Sequence, residues 1–296
     1  NQLKLYFADE NNPASLFAPS IRYYYTDRQQ NVWITNDRGV DKISFYPNKY
    51  RIRPIDNGLE IRAFLADKQK RLWVASKKGN VRIYRPDGTL EGYLSPQGII
   101  TPQEVTFGKS VYCFMEDKQG NIWMGTRNEG IIKLVPQGKL NFQLKYYKAN
   151  PADIFSLNCN FIFSLKEDKQ GRIWVGTLGG GLNQITKDAN GNERFIHSGN
   201  KLSDYPSRFS RIKNICIDHL DNIWLATTSG ILLCRWSKDK LTYTPIVRNG
   251  NAKNSLSCDN VYDIFESSKH EIYVATFGGG LDKLTGFDEQ GNGIFK

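Results

Sequence analysis

The chain has 296 residues, a net charge of +10 at pH 7, 40% hydrophobic residues and 12% aromatic residues. This composition excludes a disordered chain, and the length is enough for one large domain or two ordinary ones. No apolar run approaches the roughly 18 residues of a membrane helix. Residues 1–10 lack the features of a signal peptide and are typical of mid-domain sequence, so we expect a segment of a longer protein.

An internal repeat runs through the chain, with an aromatic residue roughly every 40 to 50 positions. The repeated aromatic residues are Trp33, Trp73, Trp123, Trp174, Trp224 and Tyr273. Each copy has an alternating apolar stretch, an Asp-x-x-Gly-like turn, the Trp segment, a Gly-rich turn and two further short apolar stretches. Alternation with period two predicts strands, and no stretch has a sustained helical period.

In chain order, residues 1–10 are predicted to be the last strand of a preceding blade, because residues 1–6 resemble residues 141–146. Six units of four strands follow at about 18–55, 56–105, 106–150, 156–200, 206–250 and 256–296. Repeated four-stranded units are typical of a β-propeller, so the predicted fold is an all-β, single propeller segment over 1–296. A seven-bladed ring is favoured, and closure by six blades stays open.

The repeated Trp is predicted to fill the contact between neighbouring blades, since one sheet cannot bury both of its faces alone. The Asp residues of the turns are expected to close the hairpin between the first and second strands. They are not expected to bind metal, because they should lie one per blade. They are Asp27, Asp67, Asp117, Asp168 and Asp218.

The segment DKQGRIWVGTLGGGL (168–182) resembles the two-component regulator propeller repeat, and 117–131 is similar to it. Connectors of the type Asn-Pro-x-x-x-Ser-Leu strengthen the resemblance, at 12–16, 150–157 and 254–257. The resemblance implies the periplasmic, oligosaccharide-binding sensor of a hybrid two-component receptor. It also implies neighbouring propeller and immunoglobulin-like domains, a membrane helix and a histidine kinase outside this chain, and a homodimeric full receptor.

Other function classes have less support. A protein-interaction propeller is the main alternative, and a propeller glycosidase or lyase follows, although no carboxylate pair stands out. Nucleic-acid binding is not expected, because the basic residues are spread over all units without a recognition helix. No catalytic activity, cofactor or metal is expected. His197, His219 and His270 do not lie at a spacing typical of zinc ligands, and His197 is expected on the solvated surface.

The five cysteines are predicted to be free and mostly buried, because the equivalent ones lie in non-adjacent units.

Candidate ligand-binding residues lie on the loops that join the second and third strands and on the ends of the connectors. They are Arg38, Lys77, Lys78, Lys109, Arg127, Asn128, Asn160, Thr228, Asn260 and Phe277. The basic residues among them belong to the first three units, so the hypothesis is a ligand with carboxylate or sulfate groups.

Overall fold

The computed structural model describes residues 5–12, 15–44, 60–238, 240–250, 252 and 254–296. Within these residues the chain forms strands β1 to β24 and one short 3-10 helix, Ser207–Phe209, which confirms the predicted all-β class. Cα proximity groups the chain into two units, residues 1–57 and 58–296, which are described separately. The single propeller segment over 1–296 stays a prediction.

The N-terminal unit contains one antiparallel sheet of three strands, sheet I, in the order β1, β2, β3. Its strands are β1 Tyr23–Thr26, β2 Val32–Thr35 and β3 Val40–Ile43. The outer strand predicted over 1–10 falls partly outside the described residues, and within 5–12 the structure has only an isolated bridge from Ala8 to Leu16. The last strand predicted for this unit also falls in the undescribed range 45–59.

In the C-terminal unit each repeat forms one antiparallel sheet with its strands in chain order. Sheet II has five strands: β4 Ile61–Ala66, β5 Leu72–Ser76, β6 Val81–Tyr84, β7 Leu90–Leu94 and β8 Ile100–Thr101. Sheet III has β9 Val111–Glu116, β10 Ile122–Thr126, β11 Ile131–Pro136 and β12 Phe142–Tyr147. Sheet IV has β13 Ile162–Glu167, β14 Ile173–Thr177, β15 Leu182–Lys187 and β16 Glu193–Ile196. Sheet V has β17 Ile212–Ile217, β18 Ile223–Thr227, β19 Gly230–Ser237 and β20 Lys240–Ile246. Sheet VI has β21 Val261–Glu266, β22 Ile272–Thr276, β23 Gly280–Phe287 and β24 Gly293–Phe295.

The hydrophobic core of the C-terminal unit lies between neighbouring sheets, because each buried cluster draws its residues from two of them. Trp73, for example, is fully buried and packs with Val111, Ile122 and Phe142 of sheet III. The predicted role of the repeated Trp is confirmed at Trp73, Trp123, Trp174 and Trp224, which are 0%, 1%, 0% and 3% exposed. In sheet I the equivalent Trp33 is 37% exposed.

The repeat Asp binds the Trp six residues later. In sheet III the Oδ2 of Asp117 accepts the indole N–H of Trp123 at 2.8 Å, and Oδ1 accepts the backbone N–H of Asn121 at 2.8 Å. Equivalent bonds join the remaining pairs: Asp27–Trp33, Asp67–Trp73, Asp168–Trp174 and Asp218–Trp224. At Asp27 the bonds from Asn31 and Trp33 lower the carboxyl pKa to about 2. The carboxylate therefore closes the hairpin as predicted and also satisfies the buried indole donor.

Ser residues fix the connectors that precede sheets IV and VI. The Ser156 Oγ accepts the backbone N–H of Asn150 at 2.9 Å and donates to its carbonyl at 3.0 Å. Ser255 makes the same two bonds with Asn249 at 3.0 and 2.9 Å. The connector motif thus acts by closing a six-residue loop on itself, which fixes the start of the next sheet.

The structure corrects the expectation for His197 and confirms the free cysteines. His197 follows β16 and is buried, not solvated, and its Nδ1 accepts the backbone N–H of Gly199 at 3.0 Å. Burial lowers the pKa of this imidazole, and its bonds to the backbone at Ile154 and Ser156 oppose that shift. All the cysteines are free; Cys216 and Cys234 are buried, and the remaining three are half-buried.

Candidate functional site

The first strands of sheets II to VI lie side by side in the C-terminal unit, in the order β4, β9, β13, β17, β21. A cleft of about 380 Å³ opens among them, and we call it the inner cleft. It is lined by Arg62, Ala63, Phe64, Tyr112, Cys113, Phe114, Phe163, Ser164, Leu165, Lys166, Lys213, Asn214, Tyr262 and Asp263. One cleft therefore collects side chains from five repeats.

Each of these first strands carries a register shift at the same position. A single residue of the first strand has no Cα partner in the second strand, which is the pattern of a β-bulge. The bulged residues are Arg62, Tyr112, Phe163, Lys213 and Tyr262. All five line the inner cleft. Because bulges re-aim side chains and recur beside functional sites, this repeated irregularity marks the cleft as the candidate site.

Cations lie over aromatic rings at two places in the cleft and at one place beside it. The Arg62 guanidinium lies 5.3 Å from the ring centroid of Tyr112, and the Lys213 Nζ lies 3.5 Å from that of Tyr262. Arg127, on the loop after β10, lies 5.8 Å from the ring of Phe161. These are cation–π distances, each contributing about 0.5–1 kcal/mol at exposed sites.

The aromatic residues form two groups. Tyr112, Phe161 and Phe163 contact one another with ring centroids 5.1 to 5.6 Å apart. Tyr262 stacks on Phe277 at 5.8 Å and 29°. The second pair is open to solvent, with Tyr262 52% and Phe277 65% exposed, so a ligand has access to its rings.

The charges around the cleft differ in how they are paired. Arg62 pairs with Glu60 at 2.8 Å. Among the described residues no carboxylate lies within 4.0 Å of Lys213 or Arg127; the Lys213 Nζ donates instead to the Asn260 Oδ1 at 2.7 Å. Burial, reinforced by the neighbouring Arg211 guanidinium, lowers the pKa of Lys213. These two cations are therefore available to an anionic group.

The structure brings some of the predicted site residues to this region. Phe277 stacks on Tyr262, and Asn260 binds Lys213 while its carbonyl accepts the Phe277 N–H at 2.8 Å. The Asn160 carbonyl likewise accepts the backbone N–H of Asn128, whose φ is 107°. The loop and connector ends predicted to meet are thus joined in pairs.

Other predicted residues are engaged elsewhere. Arg38 belongs to the N-terminal unit, where its N–H donates to the Asn36 Oδ1 at 2.8 Å. Lys77 pairs with Glu60 at 3.0 Å, and Lys109 pairs with Glu129 at 3.5 Å. Lys78 is exposed, and Thr228 is half-buried with its N–H on the Arg211 carbonyl. Lys77 and Lys109 thus have their charge partly neutralised by neighbouring carboxylates.

Sequence reasoning missed all five bulged residues: Arg62, Tyr112, Phe163, Lys213 and Tyr262. A signal was present, since each follows an Ile or Val and lies five places before the repeat Asp or Ser. The strand pattern alone assigns such a position to one face of the sheet and does not predict the bulge.

The family model described as two-component regulator propeller matches residues 107–128 and 156–179. No curated protein matches the chain in sequence. No helix in the part of the chain that the structure describes is long and apolar enough to cross a membrane.

Several solved structures have a similar fold. The extracellular domain of a hybrid two-component system from B. thetaiotaomicron is 20% identical with a TM-score of 0.54, over 94% of this chain and 41% of that one. PorZ, a surface component of the type-IX secretion system of Porphyromonas gingivalis, is 16% identical with a TM-score of 0.56, over 90% and 38%. A catalytically inactive virginiamycin B lyase from Staphylococcus aureus with quinupristin is 14% identical with a TM-score of 0.55, over 83% and 73%.

This chain spans about two fifths of the length of the first two structures. At these identities the likeness concerns the fold, which is that of a propeller. The family match covers two of the six sequence repeats, and the Asp–Trp pairs extend the same local structure to sheets I, II and V. Residues 107–128 and 156–179 are thus similar to the two-component regulator propeller repeat, and their local structure recurs in other sheets of the chain.

Proposed function

We propose that the C-terminal unit binds an acidic oligosaccharide in the inner cleft, as the ligand-sensing propeller of an extracytoplasmic receptor. The observation that carries this proposal is the repeated bulge, which places five side chains of four residue types in one cleft, at equivalent positions of the repeats. A set of unlike side chains at equivalent positions suits an asymmetric ligand.

The chemistry of the cleft favours a sugar with a negative group. The exposed Tyr262–Phe277 pair offers an aromatic surface to the apolar face of a sugar ring. Lys213 in the cleft and Arg127 on the loop after β10 supply cations, and no carboxylate of the described residues lies within 4.0 Å of either. A carboxylate or sulfate on the ligand would complete these positions with charge-assisted hydrogen bonds.

The small number of acidic residues in the cleft favours a binding function over glycoside hydrolysis. Asp263 is the only carboxylate among the described residues that line it, and its Oδ1 accepts a hydrogen bond from the Asn214 side chain. Glycoside hydrolysis needs a pair of carboxyl groups across the scissile bond. The proposed role is therefore recognition.

The receptor context is part of the same proposal. The family match and the likeness to the extracellular domain of a hybrid two-component system support a periplasmic sensor that signals to a histidine kinase elsewhere in the protein. The proposed receptor also has neighbouring propeller and immunoglobulin-like domains outside this chain, and it forms a homodimer.

The test is thermal unfolding and calorimetric titration of the chain against neutral and acidic oligosaccharides. We expect selective stabilisation by an acidic sugar, with an affinity that falls as salt rises. Lys213→Met and Tyr262→Ala should each weaken binding about tenfold, which corresponds to roughly 1.4 kcal/mol. Lys213→Met should also flatten the salt dependence.

Matched controls separate loss of the site from general damage. Tyr146→Ala removes an equally exposed tyrosine from β12, 51% against 52% for Tyr262, and Lys187→Met removes an exposed cation at the end of β15. Both control variants should bind as the parent does. Stabilisation by neutral sugars alone, or equal losses in control and cleft variants, would overturn the proposal.

A further inference from the structure

A repeated contact fastens neighbouring sheets of the C-terminal unit at their turns. The residue after the repeat Asp is a lysine in sheets II, III and IV, and we call its contacts the turn staple. The Lys68 Nζ donates to the Asp117 carbonyl at 2.7 Å while its backbone N–H donates to the Glu116 Oε2 at 2.6 Å. Lys118 repeats both bonds on sheet IV, to the Asp168 carbonyl at 3.0 Å and to the Glu167 Oε2 at 2.7 Å.

Between sheets V and VI, histidine replaces that lysine. The backbone N–H of His219 donates to the Glu266 Oε2 at 2.9 Å, so the backbone half of the staple is retained. An imidazole does not carry the three donors of an ammonium group. The His219 Nδ1 instead forms a close contact with the other carboxylate oxygen, Oε1.

A second imidazole completes the cluster. His270 lies in the β21–β22 turn, with φ 60°, at the turn position that glycine occupies in sheets III and IV. Its Nδ1 is 3.3 Å from the same Oε1 of Glu266, and its ring centroid is 4.0 Å from that of His219. The three ligand atoms lie within 4.8 Å of one another. Spacing along the chain did not predict this cluster, because the two histidines belong to successive repeats.

We propose that His219, Glu266 and His270 form a binding site for a divalent transition metal of the Zn²⁺ class, which bridges sheets V and VI. Two imidazoles and one carboxylate are a ligand set that Zn²⁺, Ni²⁺ and Cu²⁺ favour and that Mg²⁺ and Ca²⁺ do not. Ligand atoms around a tetrahedral Zn²⁺ lie roughly 3.3 Å apart, and the His270–Glu266 separation is 3.3 Å. The His219 Nδ1 lies closer to the same oxygen, so its exposed imidazole has to swing back as the metal enters.

The surroundings are those of an accessible, partly organised site. The Glu266 side chain is 14% exposed, and its second oxygen is held by the His219 N–H. The two histidine side chains are 39% and 59% exposed, so a metal can enter and keep water as its remaining ligands. The cluster is distinct from the inner cleft, whose lining residues it does not share.

The test is calorimetric titration of the full chain, without a histidine tag, with ZnCl₂ and separately with MgCl₂. We expect one Zn²⁺ per chain and no heat from Mg²⁺. Imidazole NMR gives an independent readout, because the chain has only three histidines. The signals of His219 and His270 should shift on Zn²⁺ addition, and that of buried His197 should not.

Variants that restore the residues of the other repeats test the assignment without unfolding the protein. His219→Lys reinstates the lysine of the turn staple, and His270→Gly reinstates the turn glycine. Each should weaken Zn²⁺ binding about tenfold or more while the circular dichroism spectrum is unchanged. Glu266→Gln should do the same. Undiminished Zn²⁺ binding in these variants, or unchanged histidine signals at millimolar Zn²⁺, would overturn the proposal.

Discussion

Replacing Asp117 with alanine should cost much of the stability of the C-terminal unit. The Asp117 side chain is nearly inaccessible, and its two oxygens accept the Trp123 indole N–H and the Asn121 backbone N–H at 2.8 Å each. Trp123 is 1% exposed, so water cannot reach its indole nitrogen after the substitution. A buried donor left without a partner, here the Trp123 indole N–H, costs about 1–3 kcal/mol, and the half-buried Asn121 N–H adds less, which gives a loss of roughly 3 kcal/mol.

The same chain contains a matched control for this substitution. Asp188, in the turn between β15 and β16, accepts the Asn192 backbone N–H at 2.9 Å and the Asn192 side-chain amide at 3.2 Å. It has the same turn geometry on the open surface, where water replaces the lost acceptor, and it binds no indole. Asp188→Ala should therefore lower stability much less than Asp117→Ala.

The assay is equilibrium unfolding in urea, followed by tryptophan fluorescence, for the parent and the two variants. The free energy of unfolding should order parent, Asp188→Ala and Asp117→Ala from highest to lowest. If Asp117→Ala lost less than about 1 kcal/mol, or no more than Asp188→Ala, the buried carboxylate would not be the main partner of the indole, and the reasoning would fail.

Three further predictions concern other parts of the C-terminal unit. Gly125→Ala should lower the free energy of unfolding by about 2 kcal/mol, because a Cβ there would lie 2.6 Å from the Ile162 Cγ2; Gly138→Ala, with open space around it, should be neutral in the same urea titration. Burial lowers the pKa of His197, so the unfolded chain binds a proton at this imidazole more readily than the folded chain does. The free energy of unfolding should therefore fall as pH drops through the unfolded imidazole pKa of about 6.5. His197→Asn should reduce this pH dependence, measured by urea unfolding between neutral and mildly acid pH. Burial raises the pKa of the Cys234 thiol far above its usual range, so a thiol reagent at mildly alkaline pH should label Cys234 only as fast as the protein unfolds. Mass spectrometry of the labelled peptide measures this rate, and labelling faster than unfolding would contradict the prediction.

Much of the fold could be predicted because the same sequence pattern occurs six times along the chain. Alternating apolar residues, a turn after the repeat Asp and the recurring Trp together predict hairpins that pack through an aromatic residue, and sheets II to V follow that plan. Sheet VI follows it with Ser267 and Tyr273 in place of the Asp and Trp, and there the Tyr273 hydroxyl donates to Glu271 at 2.9 Å.

The candidate site was predicted less well, for two physical reasons. Loop position indicates which residues can reach a ligand, but it does not reveal that Lys77 and Lys109 have carboxylate neighbours in space. A bulge changes the direction of a side chain without changing the composition of the strand, so the sequence does not single out Lys213 or Tyr262. The stacked partner of Tyr262, Phe277, was identified because its loop position alone exposes it.

His197 shows a related limit. Its place at the end of an outer strand favours solvent, but Asn200 accepts the His197 backbone N–H at 2.8 Å and folds the following turn over the ring. A polar residue can thus be buried by a local turn whose geometry depends on side-chain bonds.

The turn staple is directional, because each sheet donates its hydrogen bonds to the sheet that follows it in the chain. In sheets II to IV the side chains of Lys68, Lys118 and Lys169 each donate to a backbone carbonyl in the turn of the next sheet. The glutamates of sheets III, IV and VI accept a backbone N–H from the turn of the preceding sheet. A repeat such as that of sheet III therefore carries both halves of the fastening, Lys118 on its leading side and Glu116 on its trailing side. Duplicating that repeat in tandem would supply matching halves of the staple at every new boundary, so this fastening places no limit on the number of repeats.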